Sequence, residues 1–462
     1  MDRQKLVAAL RDIVGEANVL TGDALVSRLT DVWNTDTTVA MAVVRPQSTA
    51  EVSAIMALCH AQGQTVVPEG GRTNLVRGTE ASPADILLSL ERMNRIGEID
   101  RASRSVVVEA GAIVQRVQEA AAAAGLRFGL DFGARGSAQI GGALAMNAGG
   151  IQVLRYGAAR AQVLGLEVVL ADGTVLEHLT AYTKDNTGYD LKQLFIGSEG
   201  TLGIITRARL RLVPLPKTVE TAILGFHSFS GVTHLLDRLS RDLAGTLSSF
   251  EVMWRAFYDM NTAEGYCRPP VRRGLPYYVL CEAEGFDEVR DRELFEGIIA
   301  DALELPEELA AADAAVAQSG RERADFWRIR EDFEAESKAF PAMAGFDISV
   351  AINQMAAFGE ALGLVLPERL PDFLGWHIFG HVADGNLHVV VGLPDAALKP
   401  AANELVYGLV KDMGGSISAE HGIGLSKRAW LSHSRSPQEI AAMRAIKAAL
   451  DPKAILNPGK VL

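Results

Sequence analysis

The sequence predicts an α+β fold built from more than one domain. Its 462 residues exceed the roughly 150 residues typical of a single domain, so the chain has room for two or three. The N-terminal part alternates short strand-like runs with helical stretches, a pattern typical of α/β domains. The remainder combines Ala-, Glu- and Arg-rich helical stretches with further strand-like runs, which indicates a second domain of the α+β kind.

Composition excludes several classes of protein. With 48% hydrophobic and 22% charged residues, and no apolar run near the ~18 residues of a membrane span, the chain is predicted to be globular and to lack a transmembrane segment. The net charge of −12 disfavours a nucleic acid or an anionic membrane as partner. Three scattered cysteines, Cys59, Cys267 and Cys281, exclude a disulfide framework and a CxxC metal site, which favours a reducing, cytoplasmic compartment.

The first domain is expected to begin with a short helical segment, residues 1–37. Apolar residues recur there at helical spacing among charged ones, unlike the continuous apolar core of a signal peptide. These apolar residues are Leu6, Leu10, Ile13 and Val14. From residue 38 the pattern predicts strands at 41–44, 65–68, 86–90, 105–109, 163–170, 174–177 and 204–213, and helices at 49–62 and 114–124.

A proline-rich linker marks the predicted boundary between the domains. Pro214 and Pro216 suit neither a helix interior nor a central strand, so the first domain is expected to cover 38–217 and the second 218–462. Strands are expected in the second domain at 277–282, 348–352 and 387–391. The stretch 306–317, acidic at its start and rich in Ala, is expected to be a helix with a solvated face.

Three glycine-rich clusters lie in the first domain, each beside a strand-like run. They occupy residues 68–78, 129–157 and 196–205. Glycine allows positive φ and lets successive N–H groups approach an anion, so the three clusters together favour a dinucleotide pyrophosphate over ordinary tight turns. Neither G-x-G-x-x-G after a first strand nor G-x-x-x-x-G-K-[ST] occurs, which disfavours a nicotinamide site or an NTPase.

The second domain carries a group of histidines and a carboxylate. Residues 376–391 are expected to form two strands joined by an Ala-Asp-Gly-Asn turn, which would bring His381 and His388 close together. Glu420 and His421 lie beside glycines, in a turn that would direct side chains into a cleft. Any one of these histidines alone is more simply a core residue. Together, two imidazoles and one carboxylate are typical of a catalytic metal site with an open position.

The glycine segments resemble a known family. P-E-G-G-R-T-N-L-V-R-G (68–78), G-S-A-Q-I-G-G-A-L-A-M-N-A-G-G (136–150) and the run 185–206 are similar to the FAD-binding segments of the vanillyl-alcohol-oxidase-type (PCMH-type) flavoproteins. The closest branch is the FAD-linked D-2-hydroxyacid dehydrogenases, which act on D-lactate, glycolate or D-2-hydroxyglutarate. The resemblance implies a two-subdomain α/β FAD-binding domain and a C-terminal substrate and metal domain with an antiparallel sheet flanked by helices. The last part of that domain, about 50 residues, would return to the flavin domain.

The same resemblance assigns the cofactor positions. The matching residues are Pro68, Glu69, Gly70, Gly71, Arg72, Thr73, Asn74, Gly136, Ser137, Gly141, Gly142, Asn147, Glu199, Gly200 and Ile205. The first segment departs from the commoner P-Q-G-G-N-T-G-L pattern at Glu69, Arg72 and Asn74, so main-chain contacts are expected to persist while the roles of these three side chains stay open. No His or Cys occupies the positions where related oxidases attach their flavin, so FAD is expected to bind non-covalently.

The histidine segments resemble the family as well. G-H-x-x-D-G-N-x-H (380–388) and E-H-G-x-G (420–424) imply that His381, His388 and Glu420 bind a divalent ion, zinc or manganese, with His421 as the catalytic base. Arg330 matches the arginine that clamps the substrate carboxylate, a task suited to its planar donors; the alternative is an ion pair on a helix surface. His377 shares the strand phase of His381 and either supports the metal ligands or is a plain strand residue.

The activity implied is metal-assisted oxidation of a D-2-hydroxy acid to the 2-oxo acid. His421 would accept the hydroxyl proton, and flavin N5 would take the hydride. Dicarboxylate-oxidising members carry a lysine and an asparagine where this chain has Gly345 and Val390, so 2-hydroxyglutarate is disfavoured and a small or apolar distal group is expected.

Two alternatives to this activity stay open: a metal-dependent hydrolase, and a flavin-binding protein without hydroxyacid activity. The expected partners are a small-molecule 2-hydroxy acid and an electron acceptor of unidentified kind, with no nucleic acid. The family's tendency towards dimers also implies a homodimer.

Overall fold

The chain divides into two compact units. The computed structural model describes residues 2–25, 28–30 and 37–462, so parts of the predicted N-terminal segment lie outside the described residues. Unit 1 contains Met1–Gly150, Gly157–Leu215 and Glu420–Leu462, and unit 2 contains Ile151–Tyr156 and Pro216–Ala419. The described part of the chain contains no helix that is both long and apolar enough to cross a bilayer.

The strands, in chain order, are β1 Val19–Leu20, β2 Ala42–Val44, β3 Val66–Glu69, β4 Ile86–Ser89, β5 Ile96–Asp100, β6 Ser105–Glu109, β7 Leu126–Arg127, β8 Val163–Val169, β9 Val175–His178, β10 Ile204–Arg211, β11 Val213–Pro214, β12 Thr218–Phe226, β13 Leu247–Trp254, β14 Tyr277–Gly285, β15 Ala311–Val316, β16 Ala342–Ser349, β17 Gly375–Gly380 and β18 Asn386–Leu393. The helices are α1 Arg3–Val14, α2 Thr49–Gln62, α3 Val114–Ala123, α4 Ile140–Ala145, α5 Val153–Tyr156, α6 Lys192–Phe195, α7 Phe229–Asp242, α8 Arg255–Asn261, α9 Glu288–Leu303, α10 Gly320–Glu331, α11 Glu334–Ala339, α12 Met355–Arg369, α13 Lys399–Asp412 and α14 Pro437–Leu450. This mixture of helices and sheets confirms the predicted fold class.

Unit 1 contains two main sheets, whose buried residues contribute to one large apolar core. The first has the order β1-β2-β4-β3, in which β2, β4 and β3 run parallel and are almost entirely buried, as parallel strands usually are. The second is antiparallel with the order β5-β6-β10-β8-β9. The predicted strands at 105–109, 163–170 and 204–213 are therefore confirmed as β6, β8 and β10.

Local signals explain where the first two long helices begin and end. Asp2 accepts a hydrogen bond from Lys5 N at the start of α1, which confirms the predicted N-terminal helix. Ser48 accepts from Glu51 N at the start of α2, and Gly63 ends that helix in the left-handed conformation, with φ of 65°. The observed bounds of α2 are those that the sequence predicts.

Unit 2 is built on one seven-stranded antiparallel sheet with the order β15-β12-β14-β13-β17-β18-β16. Helices α7 and α9 pack on β12 and β14, and α13 packs on β16. The predicted strands at 277–282 and 387–391 are confirmed as β14 and β18. Strand β13 lies in the middle of this sheet and is buried along its whole length.

Two predictions in unit 2 are wrong. The strand predicted at 348–352 ends at Ser349, the last residue of β16, because the chain leaves the sheet there and turns into the 3-10 helix Ile352–Gln354. The stretch 306–317 is not a helix: Ala311–Val316 forms strand β15 at the edge of the sheet, where Ala222 of β12 pairs with Val316. Alanine favours a helix by intrinsic propensity, but that preference is weak and the sheet offers the segment a complete hydrogen-bonding edge.

Candidate functional site

The first two glycine clusters pack closely against each other in unit 1. Gly70 and Gly142 face one another, so that a Cβ on Gly70 would lie 3.5 Å from the Cα of Gly142. A Cβ on Gly71 would overlap the main-chain carbonyl oxygen of Ser137. Side chains at these positions would push the two loops apart, which is the physical reason for glycine there.

The third cluster joins the same group of loops. Gly200, with φ of 69°, has its Cα beside the ring of Pro68, where an added Cβ would lie 2.8 Å from Cγ. Gly141 is packed as tightly on Ala110. The predicted cofactor segments therefore meet at one place, although they are spread over more than a quarter of the chain.

The first cluster presents a run of main-chain donors. Within the described part of the chain, the N–H groups of residues 71–74 donate to no protein acceptor, and these residues are half-buried. Arg72 lies in the left-handed region with φ of 58°. Half-buried N–H groups need a partner, and a run of them is an arrangement that binds anions such as a pyrophosphate.

Glu69 does not direct its side chain to such an anion. Its carboxylate forms a buried ion pair with Arg28, and burial raises the pKa of Glu69 although Arg28 opposes the shift. A buried carboxylate without such a partner would be costly. The sequence gives no local signal for Arg28, which lies 41 residues earlier.

The other two departures from the family pattern also serve the loop itself. Arg72 donates from Nη1 to the carbonyl oxygen of Leu29 at 3.0 Å. Asn74 accepts from Gly78 N at 2.7 Å through Oδ1, which closes the turn. The side chains at the three unusual positions thus stabilise the loop, and the main-chain N–H groups are available to bind a ligand.

The remaining predicted cofactor positions differ in exposure. Asn147 has φ of 51° and accepts from Arg160 N at 3.0 Å through Oδ1, so its side chain braces its own turn. Ile205 is buried in β10. Gly136 and Ser137 are exposed, while Thr73 is half-buried. Exposed loop residues beside the unbonded N–H groups leave room for a ligand.

Glu199 anchors the loop that carries Glu420 and His421, all within unit 1. Its two carboxylate oxygens accept from Ile423 N at 2.7 Å and from Gly424 N at 2.8 Å. Burial raises the pKa of the Glu199 carboxyl, while those two donors oppose the shift. Glu199 is held in the left-handed region with φ of 53°, so the predicted cofactor residue is also the support of the His421 loop.

The other end of that loop is fixed by Glu420. Its Oε1 accepts from Gly150 N at 2.8 Å, and a Cβ on Gly149 would clash with the same carboxylate. His421 follows directly and is half-buried. Gly149 and Gly150, within the second cluster, are therefore needed to position Glu420.

In unit 2, the structure brings His381 and His388 together as the sequence predicts. His381 follows β17, and His388 lies in β18, the next strand of the sheet. A short turn through Gly385, with φ of 90°, connects the strands. The two rings lie 5.3 Å apart, edge to face.

Behind His381 lies a carboxylate that sequence reasoning did not find. This carboxylate belongs to Glu251 of β13. Its Oε1 lies 2.5 Å from Nδ1 of His381, and its Oε2 accepts a hydrogen bond from Nε of Arg330 at 2.8 Å. Burial alone would raise the pKa of Glu251, but His381 and Arg330 lower it to about 2. Arg330 does form an ion pair, but it is buried and does not lie on a helix surface.

His377 has a different partner. Its Nε2 lies 2.9 Å from Oε2 of Glu336, and its ring packs among Phe257, Phe340 and Phe379. These contacts are those of a strand residue in an aromatic core, paired with its own carboxylate.

The predicted ligands fall in different units. His381, His388 and Arg330 belong to unit 2, whereas Glu420 and His421 belong to unit 1. The pairing of the two histidines is confirmed, and the complete ligand set stays a prediction.

Comparison with known families agrees with this geometry. Residues 40–178 match the family described as FAD binding domain, and residues 215–461 match the family described as FAD linked oxidases, C-terminal domain. The chain belongs to the FAD-linked oxidases. As an FAD-linked oxidase it is an oxidoreductase, and the first two glycine clusters lie within the segment matched to FAD binding.

Curated relatives of this FAD-linked oxidase cover nearly all of it. The D-2-hydroxyglutarate dehydrogenase of Stutzerimonas stutzeri is 35% identical over 99% of this chain and 98% of the relative. That of Xanthomonas citri pv. viticola is 39% identical over 91% of this chain and 89% of the relative. The mitochondrial D-2-hydroxyglutarate dehydrogenase of Arabidopsis thaliana is 36% identical over 99% of this chain and 81% of the relative.

Solved structures share the fold of this FAD-linked oxidase at low sequence identity. The 4-ethylphenol oxidase from Gulosibacter chungangensis has a TM-score of 0.75 at 20% identity, covering 99% of this chain and 96% of the other. For p-cresol methylhydroxylase the TM-score is 0.73 at 17% identity, with the same coverage. These likenesses confirm the predicted PCMH-type fold.

Proposed function

We propose that this FAD-linked oxidase oxidises a D-2-hydroxy acid to the corresponding 2-oxo acid. The observation that carries the proposal is a buried guanidinium next to two paired histidines: Arg330 and His381 share the carboxylate of Glu251, and His388 lies beside His381. An arginine binds a carboxylate through two parallel donors, and histidines bind a metal that can polarise a hydroxyl group. The names of the curated relatives support the same substrate class.

FAD fits the glycine clusters of unit 1. We propose that residues 71–74 donate main-chain N–H groups to its pyrophosphate, with Gly141, Gly142 and Gly200 allowing the approach. FAD supplies the hydride acceptor in this reaction. The proposal keeps the binding non-covalent and leaves the electron acceptor unidentified.

We propose, as the sequence predicts, that His381, His388 and Glu420 bind a divalent ion; zinc and manganese both accept imidazole and carboxylate ligands. Because Nδ1 of His381 faces Glu251, this histidine would bind the ion through Nε2. His421 would accept the proton of the substrate hydroxyl, whose pKa a bound ion lowers. Arg330 would bind the substrate carboxylate.

The substrate proposed has a small or apolar distal group. Gly345 of β16 pairs with Val390 of β18, and His377 of β17 lies opposite Val390 on the other side. Val390 belongs to an apolar cluster with Phe379, and Met343 packs against that cluster. No atom lies within 4 Å of a Cβ built on Gly345. Of these three cross-strand neighbours only His377 is ionisable, and it is already paired with Glu336. A second substrate carboxylate placed there would therefore be removed from water without gaining a cationic partner.

A panel of D-2-hydroxy acids with different distal groups tests this proposal under anaerobic conditions. Acids with small or apolar distal groups are expected to bleach the bound flavin, and D-2-hydroxyglutarate to bleach it more slowly. His421→Ala is expected to abolish bleaching while leaving the FAD content unchanged. A protein that binds FAD but is bleached by none of the acids would support the flavin-binding alternative, and ester hydrolysis without flavin would support the hydrolase.

A homodimer and a cytoplasmic location remain further predictions of the sequence.

A further inference from the structure

Glu251 is a carboxylate in the interior of a buried strand, a position that apolar residues usually occupy. It lies in the middle of β13, a strand whose eight residues are all buried, and its own side chain is 1% exposed. Removing a carboxylate from water is costly unless charged partners replace the water. Its two partners come from distant parts of the chain, Arg330 from α10 and His381 from the end of β17.

Each oxygen of Glu251 serves one partner. Oε1 lies 2.5 Å from Nδ1 of His381, and Oε2 lies 2.8 Å from Nε of Arg330. A proton on Nδ1, donated to the carboxylate, leaves the lone pair of His381 on Nε2. The same carboxylate therefore selects the tautomer of the histidine and fixes the direction of the arginine.

Arg330 gives only part of its hydrogen-bonding capacity to Glu251. Among the described residues its Nη groups make no hydrogen bond, and its guanidinium carbon lies 4.5 Å from the ring centroid of Phe379. The ring fixes the plane of the guanidinium, and Nε fixes its rotation. Both Nη groups remain as donors on a buried side chain, and a carboxylate ligand requires two such parallel donors.

A second buried glutamate of the same sheet provides the contrast. Glu282 of β14 accepts from Arg323 through both Nε, at 2.6 Å, and Nη2, at 2.9 Å. Trp327 and Thr221 donate to the same carboxylate. Arg323 thus uses two donors on its glutamate, as expected of an ion pair that stabilises the sheet, whereas Arg330 uses one.

We infer that Glu251 is a positioning residue that aligns His381 and Arg330 for a metal ion and a substrate carboxylate at the same time. The inference rests on the proposed function for the identity of the two ligands. One carboxylate sets the lone pair of the histidine and the donors of the arginine, so that neither can turn without breaking its bond to the buried strand.

Glu251→Gln tests this inference, with Glu282→Gln as the matched control. A glutamine side chain accepts at its oxygen but presents N–H donors at its nitrogen, so it cannot accept from both Nδ1 of His381 and Nε of Arg330. In Glu251→Gln the affinity of the metal-free protein for zinc is expected to fall by about 10- to 100-fold. The KM for the hydroxy acid is expected to rise as well, with FAD content unchanged. The control is expected to lower Tm and leave both values as in the wild type.

Glu251→Asp gives an intermediate test, because it keeps both acceptor oxygens and shortens the side chain by one methylene. It is expected to recover part of the zinc affinity that Glu251→Gln loses. Unchanged zinc affinity and KM in Glu251→Gln, with a Tm loss like that of the control, would show a structural role only and overturn the inference.

Nitrogen-15 NMR of the metal-free wild-type protein provides a test that needs no variant. The side chain of His381 is expected to carry its proton on Nδ1, and a neutral ring protonated on Nε2 would overturn the inference. This result and the zinc affinity are independent of substrate oxidation. If no D-2-hydroxy acid reduces the flavin, the proposed function fails while these two measurements still decide the role of Glu251.

Discussion

Replacing Gly71 by alanine is predicted to weaken FAD binding. The new Cβ would overlap the carbonyl oxygen of Ser137 and lie 2.9 Å from the Cα of Ala138. Both are main-chain atoms that cannot turn aside, so the loop that carries the N–H groups of residues 71–74 must shift. Overpacking of this kind costs about 1–3 kcal/mol. At 1.4 kcal/mol per factor of ten, this corresponds to a Kd for FAD raised roughly 5- to 150-fold.

Titration of the apoprotein with FAD measures this effect directly. Gly133→Ala is the matched control, because Gly133 lies in the second cluster with no atom within 4 Å of an added Cβ and without a positive φ. The control is expected to bind FAD like the wild type. A Gly71→Ala protein with unchanged Kd and Tm would refute the argument that the packing of these loops forms the pyrophosphate site.

Three further predictions concern the substrate side and stability. Arg330→Lys keeps the charge but loses the planar fork, so KM for the hydroxy acid should rise at least about tenfold at unchanged FAD content; an unchanged KM would contradict the clamp. Gly345→Lys combined with Val390→Asn should raise kcat/KM for D-2-hydroxyglutarate by about tenfold or more. An unchanged kcat/KM would show that residues 345 and 390 do not determine the preference for the distal group. Burial opposes ionisation of Glu167, but hydrogen bonds led by that from Arg207 lower its pKa overall. Its contribution to stability is therefore present above the unfolded pKa and is lost as the pH falls through the folded pKa. Tm measured from neutral to acidic pH should therefore fall less steeply in Glu167→Gln than in the wild type, and parallel curves would contradict this assignment.

Features encoded by neighbouring residues could be predicted from the sequence. Helix α2 has the predicted bounds because Ser48 and Gly63 are local start and stop signals. The glycine clusters were detectable because no other residue tolerates such close packing of main chains. His381 and His388 came together because a short connection between adjacent strands fixes their distance.

Features that depend on distant partners could not be predicted. The stretch 311–316 forms an edge strand because β12 pairs with it, and its own composition favours a helix. Glu251 bonds to residues 79 and 130 positions away, and its one local signal is a charged residue within an apolar run. Glu199 likewise supports a loop 224 residues later. Such contacts follow from the tertiary fold rather than from spacing along the chain.

The proposed reaction is the transfer of a hydride from a D-2-hydroxy acid to the flavin. Anaerobic mixing of the FAD-loaded protein with the D- and L-enantiomers of one small 2-hydroxy acid, with and without a chelator, tests it most directly. The D-enantiomer alone is expected to bleach the flavin and yield one 2-oxo acid per flavin, and the chelator to slow the reaction. Equal bleaching by both enantiomers, or none by either, would contradict this proposal.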